Sequence, residues 1–519
     1  MAGLVARVGL LAVLAAMGAA PPQAPPPSRE QLRDLVQRLG HPEYAIRQHA
    51  EEELQRWGFQ AFEVLEEAAE SLDLEVARRA EMLLRTLRQH YEQPDDTPAV
   101  KQLLAGYDAQ PIQERLARIA QLAQQPDLAG VPALCRLVKY ERSELVSNWA
   151  ALEILDQGPL DPPGQARQAE ILRRELAGSR RRAARWLLAY IALCEDPKGR
   201  LAAWAQCVEA ERVAYLREPQ ASSPAIVAWL LYQLAEVYAR QGQPERAEQA
   251  AQQALQLSPS SDPARQRAHL QTARSLWRRG QFKWAEAEFR QVANAGSPLA
   301  RVTGLKYLAE MFHDQGNHQA AAEALQNALE VFPQQNIRQE DLGSRRYEMI
   351  ARMHYFRACH AKEQGDGQAE ARHLEEALRA DPSEVDALIA FYRLPDATPE
   401  QRQRATRLVQ KAAARLKEAI GEDPNNANTY NQYAWLVGNT EGNLDEALKF
   451  SRMSLELSPN NAAYLDTLAH VHFARGELEE AVRVQTKAVQ LEPHSGLLSK
   501  ELQVFRAALQ AKKKPAPKR

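Results

Sequence analysis

A pattern of small residues, one glycine and a closing proline recurs along the second half of the chain and constrains its fold more than any other feature. Three segments agree in every offset, and they contain Leu234, Ala235, Gly242, Ala247 and Pro259; Leu308, Ala309, Gly316, Ala321 and Pro333; and Leu468, Ala469, Gly476, Ala481 and Pro493. Small residues let two helices cross closely, glycine allows a tight turn, and proline ends a helix. The pattern therefore predicts stacked helical hairpins.

The glycine of this pattern also marks the spacing of the units. It recurs as Gly242, Gly280, Gly316, Gly365, Gly442 and Gly476, at intervals of 38, 36, 49, 77 and 34 residues. The pattern resembles the tetratricopeptide repeat, a helical hairpin of 34 residues. The resemblance implies about seven repeats over residues 225–493, with a degenerate one inside the 77-residue interval, stacked as a superhelix. An apolar stripe then predicts a capping helix over residues 497–510, which would cover the last repeat.

The first third of the chain carries a second, looser repeat. Residues 43–50 recur as residues 74–80, and each copy follows its first acidic residue with Val or Ile, Ala and Leu. This is similar to HEAT-type repeats, which implies a HEAT-like segment over residues 29–157; an irregular helical bundle is the alternative. Residues 165–217 are predicted to be bridging helices whose repeat type stays open. The fold class predicted for the whole chain is all-α, an α-solenoid.

The N-terminus has the pattern of a targeting segment. Residues 1–20 combine one positive charge, an apolar run and small residues, which is typical of a secretory signal peptide, and residues 21–28 form a proline-rich linker. An uncleaved membrane anchor is the alternative, but the apolar run of 13 residues is shorter than the roughly 20 that a span needs. We expect an exported protein, periplasmic or associated with the cell envelope, with no transmembrane span after cleavage.

Charge excludes one large class of partner. The chain has 65 Lys and Arg against 67 Asp and Glu, so it lacks the basic character of a nucleic-acid-binding protein. Residues 511–519 are basic and proline-interrupted, and they are predicted to form a disordered tail with at most a weak, salt-sensitive contact with the envelope.

Sequence motifs for catalysis are missing. The chain has no glycine-rich phosphate loop, nucleophile elbow, paired metalloprotease histidines or zinc-type cysteine pairs, so we predict no enzyme, no cofactor and no metal site. The four cysteines are predicted to be buried thiols without a disulfide. His354 and His360 are six residues apart and do not converge on one helix, so the histidines are predicted to be groove or surface residues.

Helix register within the repeats identifies candidate binding residues. The resemblance places the first helix of each hairpin on the concave face, where exposed aromatic and arginine side chains are typical anchors for a partner. The candidates are Tyr232, Glu236, Arg274, Trp277, Lys306, Glu310, His313, Arg352 and Tyr355 in one group, and Asn431, Trp435, Asp466, His470 and Phe473 in a second. A one-residue register error would move some of them into the core.

These observations favour a non-enzymatic, exported protein–protein interaction scaffold that binds a partner segment in the concave groove. The carboxylate clamp of chaperone-type tetratricopeptide proteins is missing, because Tyr232 and Glu236 occupy its first positions. The alternative function is an envelope-biogenesis or glycan-binding adaptor that stacks groove aromatics on polysaccharide. The sequence does not identify the partner.

Overall fold

The chain folds into helices throughout the part that the computed structural model describes, which comprises residues 27–86, 91–157, 160, 162–257, 263–294, 297–331 and 346–513. No strand occurs within these ranges. The predicted all-α class is therefore confirmed. The predicted signal peptide over residues 1–20, nearly all of the proline-rich linker and the end of the basic tail lie outside the described residues.

Eleven α-helices precede the repeats within the described residues. The predicted HEAT-like segment contains α1 (Arg29–Arg38), α2 (Tyr44–Trp57), α3 (Phe59–Ala69), α4 (Leu74–Thr86), α5 (Pro98–Leu104), α6 (Ile112–Ala123), α7 (Val131–Tyr140) and α8 (Glu144–Leu155). The bridging region contains α9 (Pro162–Leu176), α10 (Arg182–Glu195) and α11 (Leu201–Arg217). Two short 3₁₀ turns flank α6. The HEAT-like character of the first eight helices stays a prediction.

In the part of the chain that the structure describes, seven helical hairpins follow, and each packs against the next. In chain order they are α12 (Pro224–Arg240) with α13 (Pro244–Gln256), α14 (Pro263–Arg278) with α15 (Phe282–Ala293), α16 (Pro298–Asp314) with α17 (His318–Val331), α18 (Arg346–Glu363) with α19 (Gly367–Ala380), α20 (Val385–Tyr392) with α21 (Pro399–Glu422), α22 (Ala427–Asn439) with α23 (Leu444–Leu457), and α24 (Ala462–Ala474) with α25 (Leu478–Leu491). The pair α20 and α21 is the degenerate hairpin expected in the 77-residue interval.

The turns inside the hairpins explain why the pattern requires glycine. All six glycines that mark the spacing of the repeats have a positive φ, and five of these φ angles lie between 72° and 77°. The sixth, Gly442, has a φ of 138° in a differently shaped turn. Residues with a Cβ are strained in this conformation, so the turn selects glycine.

Apolar side chains form one continuous core from Tyr91 to Phe356, which joins α7 to α11 and the first hairpins without a break. Helices α1 to α4 bury a separate apolar cluster. The two cores meet at Tyr140, whose ring packs edge-on against Phe62 at 5.4 Å between ring centroids. The bridging helices thus share their core with the repeats.

Helix α26 (Gly496–Lys513) closes the array. Leu498, Leu502 and Phe505 of its predicted apolar stripe are buried. The helix extends beyond the predicted residues 497–510 at both ends, so residues 511–513 belong to it and not to the tail. At its start, the Ser495 hydroxyl accepts a hydrogen bond from the Leu498 amide at 3.3 Å, which favours helix initiation.

Candidate functional site

The candidate residues lie on the first helices of six hairpins, as the register predicts, but five of them are buried. Tyr232, Glu236, His313, Asn431 and His470 expose only 1% to 8% of their surface. The expectation that they form an exposed groove is wrong for these five residues. The other nine are at least partly accessible to solvent.

Tyr232 is buried because it bonds to the neighbouring repeat. Its hydroxyl donates a 2.6 Å hydrogen bond to Glu288 on α15, and the same carboxylate contacts the His269 ring. Burial raises the pKa of Tyr232, and so does the Glu288 carboxylate. The side chain is therefore a protonated donor inside the core and is not available to a partner.

Glu236 and Asn431 are also buried, but only Glu236 has polar partners for its buried oxygen atoms. Glu236 forms ion pairs with Arg240 at 3.1 Å and Arg279 at 3.2 Å, so a buried charge is compensated. The Oδ1 atom of Asn431 has no hydrogen-bond partner within the described part of the chain. Neither residue presents an accessible polar group at the concave face.

A chain of polar and aromatic contacts runs across the first helices of consecutive hairpins. Arg352 on α18 pairs with Glu310 on α16 at 3.0 Å, with Glu384 at 3.0 Å, and with Asp386 on α20. Asp386 in turn accepts a 2.8 Å hydrogen bond from the Trp435 indole on α22. We call these five side chains, together with His470, Phe473 and Phe505, the inner ladder.

The inner ladder continues to the capping helix through ring contacts. The Trp435 ring meets His470 edge-on at 4.7 Å, and His470 meets Phe505 of α26 at 5.0 Å. Phe473 stacks on Phe505 at 4.6 Å. Two residues of the predicted second group, His470 and Phe473, thus pack against the chain's own capping helix.

The charges of the inner ladder are set by burial and by Arg352. Burial would raise the pKa of Asp386, but Arg352 and the hydrogen bonds from Arg352 and Trp435 lower it. Burial raises the pKa of Glu384 to about 7 against the opposing effect of Arg352. Burial and then the nearby Arg393 lower the pKa of His470, to about 3. The ladder therefore holds an ionised pair between Arg352 and Asp386 and a neutral imidazole.

Three further candidates on the inner face are partly accessible to solvent, namely Asp466, Tyr355 and Lys306. Burial raises the pKa of Asp466 to about 7, although Gln485 donates a 2.6 Å hydrogen bond to its carboxylate. Tyr355 lies beneath the Arg352 guanidinium, which is 5.2 Å from its ring centroid. Lys306 is half-buried, and burial lowers its pKa.

Arg274 and Trp277 are the candidates that line a cavity. It has a volume of about 160 Å³ and is lined by Arg274, Trp277, Arg278, Asp314, Glu492, His494 and Ser495. We call it the closure cavity. Trp277 donates a 3.0 Å hydrogen bond to Asp314, and the Arg274 guanidinium lies 5.6 Å from the Tyr307 ring centroid. Within the described ranges, the contact of the Arg274 guanidinium is with this ring, and no carboxylate pairs with it.

One wall of the closure cavity comes from the far end of the repeat array. The loop before α26 returns to the second and third hairpins, where Ser495 donates a 2.6 Å hydrogen bond to Asp314. A Cβ placed on Gly496 would lie 2.7 Å from the Asp314 carbonyl oxygen, so the two backbones are in close contact. The solenoid is closed on itself at this point.

Sequence reasoning missed a cluster of His313, His318 and Cys359. Their side-chain donor atoms lie within 4.8 Å of one another. Burial and then Arg352 lower the pKa of His313 to about 3, burial lowers that of His318, and burial raises that of Cys359 to about 11. No motif spacing marks the cluster, although the two histidines flank Gly316, so pairing the predicted hairpin helices would have found two of its three residues.

The predicted absence of a disulfide agrees with the structure, in which all four cysteines are free. Only Cys135 is fully buried, however, and Cys194 is exposed, so the expectation of four buried thiols is wrong. Cys194 lies at the end of α10, just before the turn to α11. None of the helices in the described ranges is long and apolar enough to cross a membrane.

The sequence profile of the tetratricopeptide repeat matches residues 228–261, which cover the first hairpin, α12 and α13. Six further hairpins have the same order of helices. The chain therefore contains a tetratricopeptide repeat, and its second half has the fold of an array of such repeats. No curated protein matches this tetratricopeptide repeat (TPR) protein in sequence.

Solved structures similar to this TPR protein include other TPR proteins. A thermophilic TPR protein of Thermus thermophilus is 19% identical, with 40% of this chain and 99% of that chain covered and a TM-score of 0.27. A TPR protein of Parabacteroides merdae is 14% identical, covering 54% and 99%, with a TM-score of 0.30. Yeast Tom70 is 10% identical, covering 90% and 98%, with a TM-score of 0.29.

Proposed function

We propose that this TPR protein is a non-enzymatic, exported interaction scaffold that binds a segment of a partner protein at the closure cavity. TPR arrays suggest protein–protein interaction scaffolds because their stacked hairpins leave one continuous face uncovered. The observation that carries the proposal is the pairing of Arg274, which lacks a carboxylate partner within the described ranges, with the accessible Trp277 in one cavity.

The chemistry of the closure cavity suggests what the segment contains. Arginine and tryptophan are the residue types most enriched among binding hot spots. A carboxylate of the partner would pair with Arg274, and an apolar side chain would pack against the Trp277 ring. Asp314 already accepts hydrogen bonds from Trp277 and Ser495, so it serves to orient the cavity wall.

Export is proposed from the first 20 residues, whose order of one charge, an apolar run and small residues is typical of signal peptides. The glycan-binding alternative has less support. Stacking on polysaccharide needs several accessible rings, but Tyr232 is buried, and Trp435 and Phe473 are engaged with His470 and Phe505. Trp277 is partly accessible and lines the closure cavity.

The test is a crosslinked pull-down from the native envelope fraction with the full-length chain. We compare the wild type with Arg274→Glu and with Arg274→Glu combined with Trp277→Ala. Arg415→Glu is the matched control, since Arg415 is exposed on the second helix of the fifth hairpin. The single charge reversal at an exposed position avoids disturbing the core.

We expect a defined partner protein that is recovered with the wild type and the control and is lost with both cavity variants. Equal recovery by Arg274→Glu and the wild type would contradict the proposed site. Recovery of envelope polymer without a protein would contradict the scaffold and favour the glycan-binding alternative.

A further inference from the structure

We propose that His313, His318 and Cys359 form a binding site for a transition-metal ion, with Zn²⁺ as the best-matched ion. Their ligand atoms are two imidazole nitrogens and one sulfur, all within 4.8 Å of one another. Two nitrogens and one sulfur suit a borderline-soft ion and disfavour Mg²⁺ and Ca²⁺, which take oxygen ligands.

The fold brings these residues together from three helices. His313 is next to the last residue of α16, His318 is the first residue of α17, and Cys359 lies on α18 of the next hairpin. Both histidines expose only 7% of their surface, and the His313 ring stacks on Phe356 with 4.6 Å between ring centroids. Because the rings are held by packing, their nitrogens are oriented before any ion binds.

A carboxylate orients the second histidine. Nε2 of His318 lies 3.2 Å from a carboxylate oxygen of Glu363. Histidines that bind metals usually donate their other ring N–H to a carboxylate, which fixes the tautomer and raises ligand basicity. With the proton on Nε2, the Nδ1 lone pair of His318 points toward Nδ1 of His313 at 2.9 Å.

The distance between the two histidine nitrogens is close to the distance between two ligands of one zinc ion. Two nitrogens at zinc–nitrogen distances in tetrahedral geometry are about 3.3 Å apart. The two histidine nitrogens therefore need to separate by only a few tenths of an ångström, while the sulfur moves inward. A fourth position would be left for water or another small ligand.

Charge around the site is mixed. Arg352 lies near His313 and Lys500 near His318, and both oppose a cation. Arg352 is already paired with three carboxylates. Binding converts the Cys359 thiol to a thiolate and releases its proton to solvent, so the site itself gains a negative charge.

A hydrogen bond between two neutral imidazoles is the competing explanation for the short contact. The chain contains a comparison, because His354 and His373 are also paired, at 3.3 Å, and no third donor joins them within the described residues. A hydrogen bond alone accounts for that pair. It does not account for the thiol and the orienting carboxylate beside His313 and His318.

The experiment uses the full-length chain, treated with a chelator and kept reduced. Zn²⁺ is titrated in competition with a chromophoric chelator, and Co²⁺ is then used as a spectroscopic probe. We expect one Zn²⁺ per chain, a rise in melting temperature with Zn²⁺ concentration, and a thiolate-to-Co²⁺ charge-transfer band in the near ultraviolet.

Two variants and one control make the assignment specific. Cys359→Ser should abolish the charge-transfer band and weaken Zn²⁺ binding at least about tenfold, and Glu363→Gln should weaken it about tenfold while keeping the band. Glu363 retains 41% of its side-chain exposure, so its substitution should not unfold the chain. Cys207→Ser, at a half-buried thiol elsewhere, should change neither.

Absence of stoichiometric Zn²⁺ binding by the wild type would overturn the proposal and leave the histidine hydrogen bond as the explanation. An unchanged band in Cys359→Ser would also overturn it. Circular dichroism of each variant, compared with the wild type, separates loss of the site from loss of the fold.

Discussion

Several side chains on the inner face are packed as core residues and are not available to a binding partner. His470 is the clearest case, because its ring contacts Trp435 on one side and Phe505 on the other. It links two hairpins to the capping helix. Its place on the first helix of the last hairpin agrees with the repeat pattern. Its burial depends on Phe505 of α26, and the apolar stripe that predicts this helix does not specify which rings it covers.

His470→Ala should lower the free energy of unfolding by about 2–4 kcal/mol, because it leaves a cavity between two aromatic rings. Chemical denaturation followed by circular dichroism measures this change. His49→Ala, at an exposed histidine of α2, is the control and should change stability by less than about 0.5 kcal/mol. An unchanged stability for His470→Ala would mean that the ring faces an open groove.

Asp466 gives a pH-dependent prediction. Its folded pKa of about 7 lies above the usual value near 4, so the folded state binds more protons than the unfolded state between these values. The contribution of Asp466 is therefore fully present below about pH 4 and is lost as the pH rises through about 7. The wild type should lose stability relative to Asp466→Asn over this window.

Denaturation of both proteins at pH 4, 6 and 8 measures the difference. Asp95→Asn, at an exposed aspartate for comparison, should show no such trend. A constant difference between the wild type and Asp466→Asn across the three pH values would show that the carboxylate is ionised throughout.

The sequence predicts the helices and turns of the hairpins better than it predicts the contacts between them. Each hairpin depends on a local pattern, namely a glycine in its turn and small residues where its helices cross. The six turn glycines and the degenerate hairpin can therefore be located from the sequence. Contacts between distant helices follow no such rule. The hydrogen bond between Ser495 and Asp314 spans 181 residues, and the His313, His318 and Cys359 cluster joins two hairpins.

Replacing either of two glycines by alanine should change the free energy of unfolding, but in opposite directions. Gly242 has a φ of 72°, and a Cβ there would meet nothing within 4 Å, so Gly242→Ala should cost about 1–2 kcal/mol from backbone strain alone. Gly421 lies within α21 in equally open space without a positive φ, so Gly421→Ala should stabilise by about 0.5–1 kcal/mol. Denaturation of the two variants side by side tests this, and equal effects would contradict the role of the turn.

The described part of the chain is a solenoid whose last loop returns to its second and third hairpins. The loop before α26 contacts the third hairpin through Ser495 and the second hairpin through His494, and the capping helix covers the rings of the last repeat. The capping helix accounts for the burial of His470, whereas Tyr232 is buried against Glu288 of the neighbouring repeat. The returning loop forms one wall of the closure cavity, since three of that cavity's lining residues come from it.

Chemical crosslinking between lysines tests this closure most directly. Lys362 on α18 and Lys500 on α26 are both exposed, and both act on the pKa of Glu501, so they lie near one carboxylate. With a short lysine-reactive crosslinker and peptide mass spectrometry, we expect a strong crosslink between Lys362 and Lys500 within one chain. Its absence, while Lys500 still reacts as a singly modified residue, would show that the solenoid is open and would contradict the account.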